Sequence, residues 1–415
     1  MPINDTTKNF RKEHRIDIIF LLYWGIMIFW QNINPGKTGT LIDTIIKTFL
    51  LLFLVVYYFT HTRNNNKHIL LFSLLACNML LSLCIEFSLS IRILLNYIYP
   101  VLIIFLFFIL GGNYQITKSQ LIRFSNGIIC IVLYAALYAV ILMPDKFANA
   151  FQINNAYGYE LSSFFISSHE YALYLMGGIV SCMLCLELNQ SLTKVRKLFY
   201  IICMGLFGIN LILTYSRTIL VGTICIFFVN ALLNKKSKLA KFTWLGMFLV
   251  IVLILFVPKI NHFVFNIILK GNNLAGRDDL AVLAIRTFKN APLIEKIWGQ
   301  GVTKIQTIFR FTTHHTSVHN AYLQIILYFG ISNLIFIVSF LLVCLKKVIK
   351  SIKKNRVVGG LCTALNISCI IIMLFNTATV FTSSVDSFFL TIFMVIMPYY
   401  VSNAINAGTF DDTEE

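Results

Sequence analysis

The sequence predicts an all-α polytopic membrane protein of about twelve transmembrane helices with one long extracytoplasmic loop that contains an amphipathic helix. Three observations predict it. Charge is scarce: 58% of the 415 residues are hydrophobic and only 12% are charged, against about 25% in a soluble globular chain. The apolar residues come in long runs, so that Val101 to Leu110 and Phe248 to Val257 sit inside stretches of roughly twenty residues, enough to cross a hydrocarbon core. Finally, the basic residues alternate between connections.

Taken in order, the apolar runs place spanning helices near 16–33, 41–60, 68–89, 93–111, 124–143, 170–188, 198–215, 217–234, 242–259, 319–345, 358–380 and 385–404. The first is short, as a tilted or partly interfacial helix would be. Residues 1–415 form a single membrane domain, and the segment 260–318 is a long extracytoplasmic loop between the ninth and tenth helices. No internal repeat stands out. The tail from Asp411 to Glu415 is a solvated acidic end.

Cytoplasmic connections carry the Lys/Arg excess in membrane proteins. Lys8, Arg11, Lys12 and Arg15 precede the first helix, and the alternate connections add Arg63 and Lys67, then Lys118 and Arg123, then Lys194, Arg196 and Lys197. Two more clusters follow, Lys235, Lys236, Lys238 and Lys241, and Lys346 to Arg356. These hold 21 basic residues, whereas the opposite short connections hold only Lys37, Arg92, Lys146 and Arg217. A missed helix would scramble this alternation. The expected topology therefore has both termini in the cytoplasm and the long loop outside.

A structureless loop as long as 260–318 is improbable. Within it, Asp278 to Lys289 places Leu280, Leu283, Ala284 and Phe288 at helical spacing behind two acids, Asp278 and Asp279. That pattern predicts an amphipathic helix, lying on the membrane or covering a cavity.

The net charge of +17 does not point to nucleic acid, because the basic residues sit in short clusters between apolar runs, with no basic stripe interleaved with aromatics. The N-terminus lacks the pattern of a cleavable signal peptide. All ten cysteines fall inside apolar segments, and the Cys182-x-x-Cys185 pair is mid-helix, so packing is the expected role.

Few residues can carry chemistry. Arg217 stands in Leu213-Thr214-Tyr215-Ser216-Arg217-Thr218, a tight outer turn. A snorkelling interfacial arginine is one reading, but outer connections here are nearly free of positive charge. The other reading is a two-pronged contact to a lipid-linked diphosphate at this depth. Arg277, in Gly276-Arg277-Asp278, stands just before the amphipathic helix, either in a salt bridge to Asp278 or Asp279 or beside a cavity; Arg286 is nine residues on. His319, in His319-Asn320-Ala321-Tyr322-Leu323, opens the helix after the loop, as a polar anchor or as a base near neutral pH. His314, His315 and His319 suggest a metal site, yet no cysteine or nearby acid completes it. Asp43 and Lys47 can pair on one helix face, and Glu86 and Glu187 lie near helix ends, a weak signal for transport.

Leu213-Thr214-Tyr215-Ser216-Arg217, Gly276-Arg277 and His319-Asn320-x-x-Leu323 followed by Gly330 together resemble the superfamily of O-antigen ligases and Wzy-type polysaccharide polymerases, over roughly residues 160–345. The resemblance implies a metal-independent membrane glycosyltransferase with no cofactor, acting on an undecaprenyl-diphosphate-linked oligosaccharide at the outer face of the cytoplasmic (inner) membrane. It implies that Arg217 and Arg277, helped by Arg286, hold the donor diphosphate and that His319 takes the acceptor proton, with Tyr215, Ser216 and Asn320 as further candidates. A polymerase for capsule or O-antigen is the expected activity. The alternatives are a ligase using another acceptor and a flippase of lipid-linked units. The expected surroundings are the lipid bilayer, a chain-length regulator and a flippase as candidate partners, and no nucleic acid.

Overall fold

The computed structural model describes residues 48–53, 55–56, 69–86, 97–98, 101–103, 115–150, 160–165, 167–189, 192–235, 240–241, 244–246, 255–258, 277–313, 318–376 and 389–411, with isolated residues 25, 45 and 94. The expected helices near 16–33, 41–60, 93–111 and 242–259 lie wholly or largely outside them, as do the loop segment 260–276, His314, His315 and the end of the acidic tail.

Most of the described residues are helical, and none of them lies in a strand. In chain order they form α1 (Ile69–Glu86), α2 (Lys118–Ile141), α3 (Pro144–Asn149), α4 (Ser168–Leu188), α5 (Lys194–Leu213) and α6 (Arg217–Leu233). The loop region supplies α7 (Arg277–Asn290), α8 (Leu293–Trp298) and α9 (Val302–Thr313). Last come α10 (Ala321–Ile352), α11 (Arg356–Phe375), a π-helical turn (Leu390–Ile396) and α12 (Met397–Ala407). Among the described residues six helices are long and apolar enough to cross a membrane: α2, α4, α5, α10, α11 and Leu390–Ala407. The chain is thus an all-helical polytopic membrane protein.

Apolar side chains face outward as well as inward. On α5, Leu198, Ile201, Ile202 and Ile209 are exposed, and on α10, Ile331, Ile335 and Leu342 are. In water such stripes would be a liability, whereas lipid is their natural solvent. By contrast α4 is buried almost all round. It is admitted between its neighbours by Gly177 and Gly178, where an added Cβ would run into Phe389 and into Phe207 and Val132.

Local signals set the helix ends. Thr117 and Gln120 form a reciprocal capping box that starts α2 at Lys118, six residues before the apolar run begins. Inside the last span, Pro398 has no N–H to offer the Met394 carbonyl, and Asn366 Nδ2 of α11 donates to that oxygen instead, at 3.0 Å. We expect Asn366→Ala to cost about 1–3 kcal/mol through a buried unsatisfied carbonyl. In a Pro398→Ala background, where the backbone can supply the bond, the cost should fall. Melting temperatures of the four proteins in detergent check this, and equal losses in both backgrounds would refute it.

The described basic segments around Lys118 and Lys354 to Arg356 lie at one end of the bundle. The N–H of Lys118 donates to Phe410 O and its ammonium lies 3.9 Å from Asp411. Lys354 donates to Asn406 O, Arg356 Nε donates to Leu233 O, and Asn234 Nδ2 donates to Val357 O. The N-termini of α4, α6 and α10 and the C-terminus of α11 lie at the other end.

The loop helices seat against the first half of α10. Leu280 and Ala284 of α7, Val302, Ile305 and Phe309 of α9 and Val318 are buried together with Leu327, Tyr328 and Phe329, with Leu283 and Phe288 packed alongside. The amphipathic helix is therefore real, runs from Arg277 to Asn290, and turns the expected apolar face onto protein. Two devices lock it. The Glu86 carboxylate accepts from the N–H groups of Val302 and Thr303 at 3.1 and 2.7 Å, capping α9 from another helix. Tyr97 donates to the same carboxylate at 2.6 Å. In addition α10 is broken at Gly330 (φ 83°, ψ 171°), and the segment Ile297 to Gly301 runs into the break, with Gln300 N donating to Leu327 O at 2.8 Å.

Candidate functional site

The site grows from three helix ends. Thr218 Oγ1, one residue into α6, donates to Phe375 O at 3.1 Å. Asn320 Nδ2, at the cap of α10, donates to Leu374 O at 3.0 Å. Two successive carbonyls at the end of α11 thus hold the starts of α6 and α10 side by side. Arg217 and His319, each one residue before those anchors, are brought to one place although a hundred residues of chain separate them. Both are half-buried.

His319 does not open α10, as its sequence position suggested. The helix begins at Ala321, Asn320 is the N-cap with Oδ1 accepting from Leu323 N at 3.0 Å, and His319 precedes it in a left-handed conformation (φ 54°). Among the described residues no group of three or more His, Cys, Asp or Glu is placed to hold a metal.

Left-handed backbone costs a non-glycine residue about 1–2 kcal/mol. Among the described residues Ser163, Tyr215 and His319 adopt it, and all three lie at this end of the bundle. Strain concentrated in this way marks functional sites more often than scaffolds. At Tyr215 it makes the reversal between α5 and α6 that presents Ser216 and Arg217.

The turn is braced from several sides. Leu161 N donates to Leu213 O, Ser163 Oγ to Ala135 O, and the Tyr215 hydroxyl to Ala150 O. Ser168 Oγ donates to Glu160 at 2.7 Å. Burial, and then the nearby Glu160 charge, push the Tyr215 phenol above its ordinary range. Ser216 is completely buried, and its Oγ lies 2.6 Å from His169 Nδ1.

The candidates therefore separate. Arg217, Ser216 and His319 stand at the two helix starts anchored on the end of α11. The Asn320 side chain and the Tyr215 hydroxyl are spent on the scaffold. Arg277 opens α7, and since α7 is unbroken to Asn290, positions 277 and 286 fall half a turn apart. Arg286 is exposed, away from the packed face of Leu280 and Ala284. His169, bonded to Ser216, and Glu160, beside Tyr215, were not among the candidate site residues named from the sequence. A histidine at the start of a buried span was the available signal.

This arrangement, an arginine at a strained turn and a histidine just before α10, can be compared with known families. Residues 201–338 match the O-antigen ligase (Wzy_C) family model. The matched segment runs from α5 into α10 and contains Arg217, Arg277, Arg286 and His319, in line with the superfamily that the motifs resemble. No curated protein matches the chain.

Proposed function

We propose that the protein is a polysaccharide polymerase that joins undecaprenyl-diphosphate-linked repeat units at the outer face of the cytoplasmic membrane. The O-antigen ligase match supports a membrane enzyme that handles glycans. The observation that carries the finer reading is the convergence of Arg217 and His319 on the end of α11, which supplies the two functions that glycosyl transfer to a hydroxyl requires.

The acceptor hydroxyl of one lipid-linked unit attacks the anomeric carbon of the donor sugar, and the bond from that carbon to the diphosphate oxygen breaks. The acceptor proton passes to His319, and undecaprenyl diphosphate leaves as the anion. Arg217 stabilises the charge that develops on the leaving group through two parallel hydrogen bonds, and its place in the first turn of α6 adds the helix dipole. Arg277 contributes from the start of α7. With basic connections in the cytoplasm, the site opens on the outer side, where such donors accumulate, and no metal or cofactor is required. The clustering of the polar machinery at one end of the bundle, instead of along an inner cavity, weighs against a flippase.

Arg217→Lys keeps the charge and loses the fork. It should lower the polymerisation rate about tenfold to a hundredfold in a reconstituted assay, and Arg217→Ala further. Near-normal polymer from Arg217→Lys would remove the diphosphate role. The description of the matched family favours a second reading, a ligase that moves the glycan to a different acceptor. Product size separates the two, because a ligase gives a single transfer and a polymerase gives a ladder.

A further inference from the structure

We propose that His169 is a second hydrogen-bond donor to the diphosphate, with its imidazole held in the Nε2–H form by Ser216. The inference rests on the reading of Arg217 as the diphosphate-binding residue and adds a residue to that site.

Ser167 caps α4, its side chain accepting from Glu170 N at 3.1 Å. This fixes His169 as the second helical residue of a span that is otherwise almost entirely buried. The ring is half-buried, at the mouth of the bundle. Its Nδ1 lies 2.6 Å from the hydroxyl of Ser216, the residue that immediately precedes Arg217.

Serine before a helix usually spends its side chain on the helix's own amides. Ser216 makes no such bond to α6. Its hydroxyl is sealed from solvent, and His169 Nδ1 is its hydrogen-bonding partner among the described residues. A buried O–H must donate, and the ring nitrogen is the acceptor at hand. Nδ1 therefore carries no proton, and in a neutral imidazole the proton then sits on Nε2. The two alternatives, an Nδ1–H tautomer and an imidazolium, both turn Nδ1 into a donor and leave the buried hydroxyl with nothing to donate to. The imidazolium is further opposed by the N-terminal dipole of α4.

The result is a fixed N–H donor on the far side of the ring from Ser216, the residue that precedes Arg217. A diphosphate offers more acceptor oxygens than one guanidinium can serve, and a donor with its tautomer locked loses no freedom when the ligand arrives.

Two substitutions separate this role from a bracing one, since the side-chain nitrogen of Gln reaches the Nε2 position while that of Asn occupies the Nδ1 position. The experiment measures binding of farnesyl diphosphate, as a short polyprenyl diphosphate probe, to purified wild type, His169→Gln, His169→Asn and Arg217→Ala, with melting temperature recorded for each. His169→Gln should bind within about threefold of wild type, and His169→Asn about tenfold to a hundredfold more weakly at unchanged melting temperature. The reverse order, or wild-type binding by His169→Asn, overturns the role of His169 while leaving Arg217 in place. Equal binding by wild type and Arg217→Ala overturns the diphosphate site itself, and this inference with it.

Discussion

Gly330→Ala is expected to unseat the loop helices from α10, with a loss of about 3 kcal/mol or more from overpacking and left-handed strain together. A Cβ at position 330 would stand 2.1 Å from Ile297 O and 2.6 Å from Gly299 N, on a residue whose φ is +83°. Neither side can retreat. Ser332 Oγ donates to Ile297 O and Ser82 Oγ to Trp298 O, both at 2.6 Å, and Asn78 is hydrogen-bonded to Ser332 in turn. Strain at one atom is thereby transmitted to α1, to the break in α10 and to the α8–α9 connection. The measurable results are a lower melting temperature in detergent and faster proteolysis within 260–318 in reconstituted vesicles. A variant as stable and as protected as wild type would show that the break in α10 does not depend on the backbone approach we describe.

The second large effect belongs to His319. His319→Ala should reduce glycosyl transfer by about 10²–10⁴-fold, the range expected for removal of a general base, while the fold survives. At the start of α10, Asn320 provides both the cap and the anchor to Leu374, and neither bond uses the histidine side chain. His319→Gly is the sharper variant. Glycine adopts φ 54° without the steric penalty that histidine bears, so this protein should melt no lower than wild type and still be inactive. A clear fall in melting temperature with activity retained would assign His319 to the scaffold.

These expectations bear on what could be read from the residues alone. Long apolar runs announce spans in any order of reading, because lipid forces every backbone group into a helix. Thus α4, α5, α6 and α11 appear where hydropathy placed them. Where the sequence reading slipped, a local polar device outranked hydropathy: Thr117 and Gln120 start α2 inside a basic segment, and Asn320, not His319, starts α10. The packed face of α7 was legible from its period, since Leu280, Leu283, Ala284 and Phe288 keep one side of a regular helix. Its partner surface was not, because that surface is formed by Leu327 to Phe329, in the first half of a helix that breaks at Gly330. Glu86 read as a weak transport signal, and its carboxylate is occupied by the amides of α9.

The candidate site follows the same division. Arg217 and His319 stood out because charge and titratable groups are rare in this chain. Their meeting could not be read, as it depends on Thr218 and Asn320 reaching successive carbonyls of a third helix. The pairing of His169 with Ser216 joins residues 47 positions apart, and no spacing rule connects a residue at one helix start with one before another.

The measurement that tests the central claim most directly supplies purified, reconstituted protein with undecaprenyl-diphosphate-linked repeat units in the presence of a metal chelator, and separates the products by size. The account predicts a ladder of glycans differing by one repeat unit, formed by the wild type and absent from His319→Ala. Unextended repeat units from verified, folded wild-type protein given its cognate substrate, or a single transfer to a different acceptor only, would contradict it.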